Sequence, residues 1–184
     1  MSSRKSNSRE DILVAAEQVV RERGTGHLTL DTVAERAGIS KGGLLHHFPT
    51  KEALLRALLS RHLERFDRDL QQAGTGRGGG NARAEALKDF VRFGFREDED
   101  NERISAALLA AGASDPKLLT PVREWHQRHF EAFAAGTKYP LRVLVLMLAM
   151  DGLWLNELLR TSAFDRGVKA ELMEEMLSMA GSIV

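Results

Sequence analysis

The chain contains no cysteine. This excludes a disulfide framework, a thiolate metal site and a cysteine nucleophile. It has only four prolines in 184 residues, so little interrupts its helical segments, and the extended β-branched alternation of strands is missing. It carries no net charge, with 26 Lys and Arg against 26 Asp and Glu, so bulk charge gives no hint of a nucleic-acid partner. Such a partner needs only a local basic patch. Residues 1–51 hold eight Lys and Arg against six Asp and Glu, a small tilt of the right sign. There is no long apolar run either. The most apolar stretch, Val143 to Leu155, is interrupted by Asp151 and falls short of the roughly 20 residues that span a bilayer. The first eight residues are polar and lack a signal-peptide core. The expectation is a soluble, cytoplasmic protein.

What is present is helix-forming. Leu, Ala, Glu and Arg dominate, and 43% of the residues are hydrophobic, enough for a real core. The pattern predicts an all-α fold of about nine helices. Residues 1–7 read as a disordered arm. Ser8 and Asp11 then form a capping pattern, and Ile12, Leu13, Ala16, Val19 and Val20 make one apolar face ending at Gly24. Thr29 caps a second, short helix that Gly38 ends. Ser40 caps a third helix, Lys41 to His47, broken by Pro49. Thr50 caps a fourth, whose stripe Leu54, Leu55, Leu58, Leu59, Leu63 and Phe66 runs to about residue 72. Residues 74–80 are a glycine-rich loop. Further helices are predicted over about 82–96, 102–112, 116–135, 140–160 and 165–181, with the acidic residues 97–100 as a turn or helix start.

Residues 30–48 carry the strongest signal. A helix-turn-helix needs a small residue where its helices cross, which Ala34 supplies, and a turn residue tolerating positive φ four positions later, which is Gly38. It needs apolar plugs, and Val33, Ala37, Ile39 and Leu44 fill that role. The second helix then presents Ser40, Lys41, Gly42 and Gly43 toward a major groove.

The motif does not stand alone. Ala15-Ala16 precede Gly24, Leu28-Thr29-Leu30 follow, then Val33-Ala34-Glu35-Arg36-Ala37-Gly38-Ile39-Ser40, then His47-Phe48-Pro49-Thr50-Lys51-Glu52-Ala53-Leu54. On these residues the stretch from Ser8 to Leu59 resembles the TetR family of one-component regulators. The resemblance covers about the first third of the chain. It implies a homodimer on double-stranded operator DNA, with residues 1–50 as the DNA-binding domain and 51–184 as a ligand-binding and dimerisation bundle. Most such relatives are repressors whose inducer moves the fourth helix and spoils half-site spacing. One departure stands out: Leu45 occupies a position where relatives usually carry a DNA-contacting tyrosine.

Candidate DNA contacts follow. Lys51, Thr29 and Thr32 suit phosphate, though Thr29 is equally suited to capping. Ser40, Lys41 and Gly42 lead the recognition helix. Leu45 suits a thymine methyl, and His46 and His47 remain as contacts, unless one packs on Phe48.

For a small-molecule effector, Phe93, Trp125, His129, Phe130, Met147, Met150, Asp151 and Trp154 are the candidates, and an apolar ligand would suit them. The same side chains also serve as ordinary core. Asp151 and Asn156 interrupt an apolar helix, and each needs a partner: a ligand, a second subunit or a backbone group. The helix over 140–160 is apolar nearly all round and must be covered on every side.

Rival functions find less support. There is no Gly-x-Ser-x-Gly elbow, and the glycine-rich segment lacks the Gly-Lys-Ser/Thr ending of a phosphate loop. His126 and His129 share a helical face without an obvious third ligand, so no metal and no cofactor are expected, and no enzyme. A helical ligand-binding or scaffold protein without operator binding is the remaining alternative.

Overall fold

The computed structural model describes residues 3–74, 82–96 and 99–183. Among the described residues there are nine α-helices and no strand: α1 (Ser3–Arg23), α2 (Leu30–Ala37), α3 (Lys41–His47), α4 (Lys51–Gly74), α5 (Ala82–Gly94), α6 (Glu99–Ser114), α7 (Thr120–Ala134), α8 (Pro140–Leu158) and α9 (Arg166–Ser182). Short 3-10 turns, Thr25–His27 and Pro116–Leu119, precede α2 and α7. The all-α expectation holds. Three sequence readings fall partly outside the described residues: residues 1 and 2 of the expected arm, the glycine-rich loop beyond Gly74, and residues 97 and 98 of the acidic cluster, whose Glu99 and Asp100 open α6.

The described residues form two compact units. One lies within Met1–Leu63 and Asp98–Arg123, the other within Glu64–Glu97 and Glu124–Val184. In the first, α1 buries Ile12, Leu13, Ala16, Val19 and Val20 against Leu28, Val33, Leu44, Phe48, Leu54 and Leu58, with Ile104, Leu108 and Leu118 completing the same core. The helix ends are set locally. Gly24 has φ 76° and its N–H reaches the Val20 carbonyl at 2.8 Å. The expected arm is corrected at residues 3–7: α1 starts at Ser3, so Ser8 lies inside the helix and not at its start. Residues 3–7 contain neither proline nor glycine, and extending a nucleated helix costs far less than starting one.

The second correction concerns the helix expected from residue 116. A 3-10 turn comes first and α7 begins at Thr120. Pro121 has no N–H for the Lys117 carbonyl, so an α-ladder cannot run through this point. The Thr120 hydroxyl donates to that carbonyl instead, at 2.9 Å. Asp115 caps the turn by accepting from Lys117 N at 3.0 Å.

In the second unit α5 packs on α9 and α8. The core is Leu87, Phe90, Val91, Val143, Leu146, Met147, Met150, Leu153, Met176, Ala180 and Ile183. Gly94 lets α5 approach α8 closely: a β-carbon there would sit 2.0 Å from Met150 Cε. The other side of α8 is bare. Leu141, Leu144, Val145, Leu148, Leu155 and Leu159 are all exposed, from 37% at Leu144 to 72% at Leu141. Their spacing of three, four and seven residues is that of one helical stripe.

Candidate nucleic-acid interface and aromatic cluster

The α2–turn–α3 segment is built from local chemistry. Thr29 Oγ1 accepts from Thr32 N at 3.0 Å and lies 2.7 Å from the Thr32 hydroxyl. The cap role is therefore occupied by Thr29. Gly38, at φ 67° and ψ 29°, ends α2, and the next N–H, that of Ile39, donates to Ala34 O at 3.0 Å. This closes a Schellman turn. Ser40 Oγ accepts from Gly43 N at 3.1 Å and starts α3. Leu44 is fully buried and locks α3 onto α2 and α1.

That anchor fixes which residues face outward. Ser40, Lys41, Gly42, Gly43, Leu45 and His46 are exposed, and His47 is half-buried. The His46 and His47 rings meet edge-on at 5.4 Å, and Arg9 lies 5.2 Å over the Phe48 ring. Lys41 Nζ is paired with Asp31 at 2.9 Å, both side chains well exposed. Lys51 Nζ donates to the Thr25 carbonyl at 3.1 Å and is half-buried. Thr32 is half-buried, and Thr50 caps α4 through Ala53 N at 3.1 Å.

Ion pairs brace this unit. Arg36 holds Glu22 through two hydrogen bonds of 2.8 and 2.6 Å, and this contact draws the Glu22 carboxyl below its ordinary range. Arg61 on α4 bridges Glu10 and Glu17 on α1. Burial works against its charge, but the two carboxylates outweigh that and raise it. His62 Nε2 meets Ser105 Oγ at 2.9 Å, and Thr25 Oγ1 donates to Ala107 O at 3.3 Å, tying α6 into the unit.

In the other unit the predicted effector residues separate. Trp125 is 5% exposed and stacks on His129 at 4.0 Å. Phe66 joins Trp125 to Phe93, with ring centroids at 5.4 and 4.6 Å. Phe90 and Phe133 extend the cluster. Met147 and Met150 are buried on the inward side of α8, while Phe130 is half-buried and Trp154 is 39% exposed near the C-terminal end of α8. Asp151 pairs with His126 on α7 at 3.6 Å. Burial pushes its carboxyl above the ordinary range, against the pull of His126. Asn156 finds its partner in the backbone, donating to Gly152 O at 2.7 Å.

The residue missed by sequence reasoning is Asp67. Its Oδ1 accepts from Trp125 Nε1 at 2.6 Å and lies 3.2 Å from His129 Nε2, while Arg128 approaches the other oxygen at 3.9 Å. The His129 Nδ1 sits 3.0 Å from the Trp125 carbonyl. An open cleft of about 220 Å³ adjoins this group, lined by Asp67, Leu70, Gln71, Arg128, His129 and Ala132. A signal existed: Asp67 falls four residues after Leu63, in phase with the apolar stripe of α4. Among the described residues no three His, Asp or Glu side chains are grouped to hold a metal, since His126 and His129 turn to different carboxylates. None of the described helices is long and apolar enough to cross a membrane.

Residues 12–58 match the family model described as bacterial regulatory proteins, tetR family, and residues 84–181 match a tetracyclin repressor-like C-terminal domain. The chain is 27% identical to the transcriptional repressor KstR of Rhodococcus jostii, over 98% of this chain and 87% of that protein. It is 33% identical to the transcriptional activator FasR of Mycolicibacterium smegmatis over 56% of this chain, a match that spans only half of that relative's length. Among solved structures, the multidrug binding protein EbrR complexed with imidazole is similar with a TM-score of 0.72 and 25% identity, covering 91% of this chain and 93% of that one. EbrR complexed with ethidium gives a TM-score of 0.71 and 26% identity, covering 92% and 98%.

Proposed function

Because the chain belongs to the TetR family of transcriptional regulators, we propose that it is a repressor that binds a palindromic operator as a homodimer and is released by a small, largely apolar ligand. The observation that carries this is α3, locked from behind by buried Leu44 and presenting Ser40, Lys41, Gly42, Leu45 and His46 to solvent. A helix held this way can enter a major groove by its N-terminal residues. Thr29, Thr32, His47 and Lys51 flank it and serve phosphate contacts. Their hydroxyls, ring nitrogens and ammonium position the helix, while the α3 face reads bases. By role, residues 1–50 are assigned to operator binding and 51–184 to ligand binding and dimerisation.

The bare side of α8 supports the dimer. Six large apolar side chains on one stripe are more than a lone chain leaves in water. Gly152 lies on the same stripe with open space where a β-carbon would be, so a second helix can come close. The two-fold axis of such a dimer matches a palindromic site. For the ligand, the cluster of Trp125, His129 and Phe93 with Phe66 and Asp67 offers flat apolar faces and one carboxylate. The likeness to EbrR, solved with ethidium, supports a flat aromatic occupant. Phe130, Met147, Met150, Asp151 and Trp154 are proposed to contribute to ligand binding from α7 and α8. The role is regulatory, exercised in the cytoplasm, and needs no catalysis.

The test is repeated selection from random-sequence DNA followed by sequencing. A two-fold-related motif, bound with affinity that falls steeply as salt rises, is the expected result. A pool that stays random at low salt with folded protein would reject operator binding.

A further inference from the structure

We propose that Leu45 reads a thymine in each half-site through that base's 5-methyl group. This rests on the operator-binding reading and goes one step into it. Only two large apolar side chains in the first unit stand open among its described residues, Val14 and Leu45, each 38% exposed. Val14 is on α1; Leu45 is on the outward face of α3. A leucine in a helix leans back over the preceding turn, and here that turn carries Gly42, which has no side chain and nothing within 4 Å of where a β-carbon would be. The result is an exposed apolar side chain one turn from open backbone.

The polar groups around it narrow the choice. Lys41, one turn before, is already engaged by Asp31 at 2.9 Å, so a base contact by its ammonium competes with that pair. Leu45 has neither donor nor acceptor to offer, and a groove edge that presents only those groups leaves it dry and unpaid. Among the four bases only thymine carries an apolar group in the major groove, the 5-methyl. The bare backbone at Gly42 allows the close approach that contact requires.

The experiment uses the full chain and the operator recovered by selection. Each thymine is replaced in turn by deoxyuridine at both symmetric positions, which removes the methyl and leaves pairing intact. Affinity is read by fluorescence anisotropy at fixed salt for the native protein and Leu45→Ala. The expected result is one thymine whose loss weakens native binding about fourfold per half-site and leaves Leu45→Ala unaffected. Leu45 is exposed, so the variant keeps the fold, and an unchanged melting temperature checks this. Leu45→Met retains the effect. Native binding indifferent to deoxyuridine throughout the operator would overturn the proposal, as would an equal loss in Leu45→Ala. If no operator is recovered at all, the operator reading itself fails, before any deoxyuridine is introduced.

Discussion

The two units treat their apolar side chains differently. The first shelters nearly all of them: of its described large apolar residues only Val14 and Leu45 are open, and both only just. The second leaves ten open, with Tyr139, Trp154, Phe164 and Val168 beside the six on the α8 stripe. A unit that buries its own apolar surface is finished as a fold and can spend its outer face on recognition. A unit with an unpartnered stripe is unfinished. On the proposed function the chain divides its labour, one unit for reading DNA and the other for assembly.

The comparison can be broken most severely at the stripe. Val145→Glu with Leu148→Glu places two carboxylates where a second copy is proposed to pack, and burying an unpaired charge costs several kcal/mol. The expected outcome is a monomer by light scattering at micromolar concentration, with operator affinity reduced by about a hundredfold or more and the helical signal retained. A matching blow to the first unit is Leu44→Ala. It empties a fully buried site and is expected to cost about 2–5 kcal/mol of unfolding free energy by denaturant titration.

Smaller effects sharpen the picture within the second unit. Asp67→Ala strands the Trp125 indole N–H in a nearly buried position, at a cost of about 1–3 kcal/mol, visible in thermal melts and in a changed tryptophan emission. Asp151 gives a pH signature. Because burial raises its carboxyl in the folded chain, the folded state holds that proton more tightly than the unfolded one. Its contribution to stability is therefore present below the ordinary carboxylate range and is lost as pH rises toward the raised value. Asp151→Asn should flatten this slope, and melting temperatures taken across the acidic range compare the two directly. The smallest change is Arg160→Gly, which relieves a left-handed residue at φ 53° and should gain about 1 kcal/mol at most.

Legibility in the sequence followed the range of the interactions. Thr29, Gly38, Ser40 and Thr50 act on backbone groups within a few residues, so their roles could be read from local spacing. The turn before α7 was equally local but depended on Pro121 having no N–H to donate to the Lys117 carbonyl, a detail that apolar periodicity does not register. The α8 helix resisted for a different reason. Inward Val143, Leu146, Met147 and Met150 and outward Leu144, Val145 and Leu148 are all apolar, so hydropathy has no phase there to tell core from open surface. Asp67 was overlooked because its partner Trp125 is 58 positions away, and no local rule links them.

The most direct measurement is the mass of the native chain in solution by sedimentation equilibrium at micromolar concentration. A species of roughly twice the 20.4 kDa chain mass, reduced to the single-chain mass by Val145→Glu with Leu148→Glu, is the predicted result. A native chain that remains at 20.4 kDa throughout the concentration range would contradict the division between a finished reading unit and one completed by a second copy.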